Sequence, residues 1–117
     1  MKYTTTKKQY KYFIARCEYW KHLLCIDYDI VYDHLKRKTT LAETSYEVSP
    51  HIACIRLATI FDTSPSNKLL DRIALHEICH LLFGEITDLA TIFYATKYIE
   101  AVEHGIIARL ENIVERD

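Results

Sequence analysis

Leu75-His76-Glu77-Ile78-Cys79-His80-Leu81 is the stretch from which the rest of the chain is read. It has the form His-Glu-x-x-His between apolar flanks. On a helix, residues four apart lie one turn apart on one face, so His76 and His80 can share a single metal ion. Neutral imidazole is a good ligand for Zn²⁺, and a catalytic zinc site keeps one position open for water. Glu77 follows the first histidine and leaves the helix roughly 100° away from it. That suits a general base acting on water better than a ligand.

The surrounding sequence is patterned for a helix. From Lys68 to Phe83, apolar residues fall at 69, 70, 73, 74, 78, 81 and 82. Ser64-Pro65-Ser66 offers an N-terminal cap, and Gly84 stands where a C-cap glycine belongs. Two histidines and a glutamate on so apolar a helix each need a polar partner, and a metal gives the histidines a common one.

At these residues the chain resembles the zincin metallopeptidases. The resemblance implies zinc, a peptidase-type site, and a minimal fold of one small sheet with an active-site helix and a second, ligand-bearing helix. Only the His76–His80 motif is a close match. The remaining likeness is an order of elements covering most of the chain.

That order follows from periodicity. Lys7 to Leu24 has apolar groups at spacings of three and four, an amphipathic helix. Three alternating stretches, Ile26–Tyr32, Leu41–Val48 and His51–Phe61, read as strands. Asp33–Lys38 is a charged turn, and Ser49-Pro50 a break. After the motif helix, Glu85–Asp88 reads as a short connection. Leu89–Val114 is then a long helical pattern with a break near Tyr94–Thr96. The expected fold is α+β: an N-terminal helix, a three-stranded antiparallel sheet, the motif helix and a long C-terminal helix. Short connections favour a meander. By the resemblance, the strand Ile52–Phe61 is the substrate-facing edge.

The 117 residues, half of them hydrophobic, make one domain over 1–117 with a real core. Two glycines and two prolines leave few irregular loops. A net charge of −1 lacks the basic excess of a nucleic-acid footprint. Met1–Lys11 is polar and locally basic with no long apolar run after it, so neither a signal peptide nor a membrane span is expected. Cys17, Cys25, Cys54 and Cys79 are scattered without a Cys-x-x-Cys pair, which argues against a thiolate zinc site. Free thiols without an export signal fit a reducing, cytoplasmic setting.

A catalytic zinc needs a third protein ligand. The zincin branch with a third histidine would place a glycine at Phe83 and the histidine at Ile86, so it does not apply. Asp88 stays open as the ligand of an aspartate branch, although the glycine–threonine context usual before it is missing. In the remaining branch the ligand is a glutamate of the following helix, where Ile99, Val102, Ile106, Leu110 and Ile113 form the expected buried stripe. Glu103 borders that stripe and is the favoured ligand. The likeness to glutamate zincins (gluzincins), including the small IrrE-like and phage-borne members, leaves Glu100 and His104 open as alternative registers. Gly105 is expected to let the backbone approach the motif helix.

The sequence thus points to a zinc metallopeptidase acting on a protein or peptide substrate, with His76, His80 and Glu103 on Zn²⁺ and Glu77 as general base. Tyr94, Tyr98, His104 and Arg109 are undecided candidates for oxyanion stabilisation. The competing reading is a zinc-stabilised interaction module without protease activity, for instance a small phage or mobile-element protein.

Overall fold

The computed structural model describes residues 2–36 and 40–116. The chain runs β1 (Tyr3–Thr4), α1 (Lys7–Leu23), β2 (Asp29–Leu35), β3 (Ala42–Glu47), β4 (Ile52–Ala58), β5 (Ile60–Phe61), α2 (Asn67–Ala90) and α3 (Thr96–Arg116). The class is α+β.

α1 starts at a capping box. The Thr6 hydroxyl accepts from the Gln9 backbone N–H at 3.1 Å, and the Gln9 side chain accepts from the Thr6 N–H at 2.8 Å. It buries Phe13, Cys17 and Trp20, one helical face. Against α2, Asp71 accepts from Trp20 Nε1 at 2.7 Å and from Arg16 Nε at 2.8 Å. Cys25 then takes a left-handed turn at φ 55°, so the second strand starts at Asp29 rather than Ile26.

The main sheet is not the expected meander. Its order is β2-β4-β3, with β4 parallel to β2 and antiparallel to β3. Composition explains the choice of centre. β4 buries Ala53, Ile55, Leu57 and Ala58, whereas β3 carries Glu43, Ser45 and Glu47, polar residues suited to an edge. The stretch 51–61 is also two strands: after Thr59, β5 leaves the sheet and pairs with β1. Of the expected turn, Asp33–Leu35 continue β2, and Arg37 and Lys38 lie outside the described residues.

α2 is capped by Ser66, whose hydroxyl accepts from the Leu69 N–H at 3.2 Å. It does not stop at Gly84 but continues through Glu85–Asp88 to Ala90. Gly84 is buried, and a Cβ there would stand 2.9 Å from the Tyr46 ring. This glycine therefore seats β3 on the helix instead of ending it. α3 returns antiparallel along α2, as the pairs Lys68–Glu115, His76–Glu111 and His80–Glu103 show.

The buried face of α3 is rotated from the expected stripe. Glu103, Ile107 and Val114 are buried, while Val102, Ile106 and Ile113 are exposed. The facing surface of α2 carries His76 and His80, and pairing them with Glu103 and Glu111 outweighs burial of the more apolar face. Gly105 goes with the exposed face: a Cβ there would meet nothing within 4 Å, so it makes no close approach to α2. Gly105→Ala should stabilise the fold by about 0.5–1 kcal/mol through helix propensity alone, read as a raised denaturation midpoint with unchanged slope.

Four cysteines are free, Cys17 and Cys79 buried and Cys25 exposed. Among the described residues no helix is long and apolar enough to cross a membrane.

Candidate metal centre

Where α2 and α3 face each other, three imidazoles converge. The ring centroids of His76 and His80 lie 5.0 Å apart, those of His76 and His104 5.5 Å, and those of His80 and His104 5.1 Å. One ligand nitrogen from each lies within 4.8 Å of the other two. The four-residue spacing on α2 puts His76 and His80 on one face. The antiparallel return of α3 brings in His104.

Both α2 histidines are held from behind by carboxylates. His76 Nδ1 stands 2.5 Å from Glu111 Oε1, and His80 Nδ1 stands 3.3 Å from Glu103 Oε1. An ionised carboxylate only accepts, so these partners assign the proton to Nδ1 and leave each Nε2 with a lone pair. Histidines that ligate metals are oriented in this way by an outer carboxylate. Arg72 in turn pairs with Glu111 at 3.3 Å.

The donor set fits zinc. Zinc–nitrogen bonds of about 2.0–2.1 Å in a tetrahedron place the nitrogens about 3.4 Å apart. Inward ring shifts of at most about 1 Å would close this triangle onto one ion, within the reach of χ rotations for side chains that are not fully buried.

Glu77 lies on the side of α2 that meets the sheet. It is 5% exposed, and Oε1 accepts from the Thr44 hydroxyl of β3 at 2.7 Å. Burial pushes its pKa up, and the Thr44 hydrogen bond and the His76 and His80 imidazoles pull it back. A cavity of about 230 Å³ is bordered by His76, Glu77 and Glu111 together. The edge strand beside the histidines is thus β3. The expected edge, β4, is the central strand and has no free edge for a substrate.

Glu103, the ligand favoured by the sequence, is buried because it lies on the rotated packed face with Ile107 and Val114 and not beside the expected stripe, and it meets the Nδ1 side of His80. His104, one of the alternative registers, is the residue that joins the histidine group. Glu100 and Asp88 border a neighbouring cavity of about 300 Å³ with His80 and His104. Tyr94 and Tyr98 line a different, apolar cavity of about 280 Å³, which none of the three histidines borders. Arg109 is exposed. Sequence reasoning passed over Thr44 and Glu111. The available signal for Glu111 was the spacing Glu103, Ile107, Glu111, which sets both carboxylates on one α3 face. Thr44 gave no signal, because its role depends on the order of strands.

No protein-family model, curated protein or solved structure matches the chain.

Proposed function

We propose that this protein is a zinc-dependent metallopeptidase of minimal zincin type, with His76, His80 and His104 as the metal ligands. The observation that carries the reading is the convergence of three imidazoles, two of them backed by carboxylates, beside a buried glutamate. A zinc ion held there supplies a Lewis acid for a carbonyl and makes a coordinated water acidic near neutral pH.

Glu77 is the group that takes up the proton and returns it to the leaving amine. A carboxyl held up by burial and down by Thr44 and the imidazoles can do both. Thr44 fixes its rotamer, and Glu103 and Glu111 fix the two imidazoles behind the metal. Glu103 therefore has an orienting role in this reading.

Protein purified without added metal should contain about one zinc per chain. It should cleave peptides in a mixed digest, lose that activity on chelation and regain it with zinc. Folded protein without a stoichiometric transition metal would overturn the reading. A zinc-stabilised interaction module is favoured by one other observation, the exposed apolar residues Ile86, Leu89, Ile92, Phe93, Tyr94 and Tyr98 around the α2–α3 turn. Full zinc occupancy with no cleavage of any peptide would put that reading first.

A further inference from the structure

Two cavities flank the histidines, one on each side, and both run against the same strand. The first, about 230 Å³, has Leu41, Ala42, Leu69 and Ile73 as its apolar wall, and its charged lining, Arg72 with Glu111 and the Thr44-bound Glu77, is already paired within the protein. The second, about 300 Å³, has Tyr46 on the strand side and the carboxylates Asp88 and Glu100 on its helical side, and no lysine or arginine among the residues that line it. Thr44, which holds Glu77, lies midway between Ala42 and Tyr46 on the same face of β3. The two ends of the cleft therefore differ: mainly aliphatic near Ala42, where Arg72 is already paired with Glu111 and Glu115, and anionic with no cation in its lining near Tyr46, with the histidines between.

From this we infer that the cleft takes an extended peptide lying along β3, with an aliphatic or aromatic side chain at one end and a lysine or arginine at the other. The inference rests on the peptidase reading for what happens at the centre, and on the two cavities for what is recognised. The spacing follows from strand geometry. Ala42 and Tyr46 are four residues apart, about 13 Å along a strand. A peptide extended beside them spans that distance in about four residues, so the apolar and basic positions stand about two residues to either side of the centre. A cation next to Asp88 and Glu100 is attracted at the cleft mouth, and a cavity walled by Leu41, Leu69 and Ile73 rewards apolar burial.

The test separates recognition from chemistry. Zinc-loaded Glu77→Gln protein is used to select from a display library of random ten-residue peptides, with inorganic zinc present throughout. Enrichment of sequences that pair a lysine or arginine with a large apolar residue about four positions away, in either order, is the expected result. Asp88→Asn combined with Glu100→Gln should remove the basic preference and leave the apolar one. Ile73→Ser should do the reverse, with circular dichroism showing that each variant folds. Enrichment with neither feature, or with both features unchanged in these variants, would overturn the inference, as would no enrichment at all. Wild-type protein is then given the enriched peptides. If they bind but are not cut, the peptidase reading falls and the recognition stands.

Discussion

Glu77→Gln should leave zinc content and folding unchanged and lower peptide hydrolysis by roughly 10²–10⁴-fold or more. The substitution conserves shape and volume at a position that is 5% exposed. The glutamine carbonyl oxygen can still accept from the Thr44 hydroxyl, so the contact with β3 survives. What disappears is the capacity to take up a proton. Thr44→Val gives the complementary result. It leaves a buried carboxylate oxygen without its donor, so it should cost stability and raise the Glu77 pKa further, because the hydrogen bond that lowers it is gone. The measurements are elemental analysis, thermal unfolding and initial rates on one peptide. Glu77→Gln protein that hydrolyses at the wild-type rate would remove Glu77 from the chemistry.

Removing His104 should cost more zinc affinity than removing Glu103. In the proposed centre His104 would contribute one of three ligand nitrogens, so His104→Ala would leave two protein donors and should weaken binding by orders of magnitude. Glu103 stands behind His80, and loss of such an orienting carboxylate typically lowers metal affinity 10–100-fold. Glu111→Ala should fall in the same range, acting through His76. Competition against a chromophoric chelator ranks the variants directly. The opposite ranking, with Glu103→Ala the more severe, would restore the glutamate as the ligand and reduce His104 to a neighbour.

The helices and the motif were legible because they depend on local pattern. Spacing of apolar residues located α1 and α2, but the connection expected at Glu85–Asp88 is helical, and α2 and α3 part only where a break inside the last helical pattern was expected, before Thr96. The pairing of strands was not legible, since it depends on which strand best fills the centre of a sheet. The alternation in β3 and β4 is equally good, and only the burial of Ile55 and Leu57 against the charged side chains of β3 decides between them. Gly84 misled for a related reason. A glycine after an apolar run signals a helix end unless a distant ring, here that of Tyr46, needs the space. The buried face of α3 was misjudged because hydrophobicity alone was counted. Two histidines on the opposing helix reverse that sum, drawing in Glu103 and Glu111 and leaving Val102 and Ile106 outside.

The cysteines give the molecule a built-in clock. Cys17 on α1 and Cys79 on α2 are both fully shielded in the core, and burial raises their thiol pKa values, that of Cys79 to about 12. A disulfide reagent needs thiolate and access, and both are denied in the folded chain. Cys25, exposed at its left-handed turn, is open to the reagent from the start. The first modification therefore registers the native surface, and the delay before the two buried thiols react measures how often the core around α2 opens, Cys17 reporting from α1 and Cys79 from beside Glu103 and Glu111 of α3.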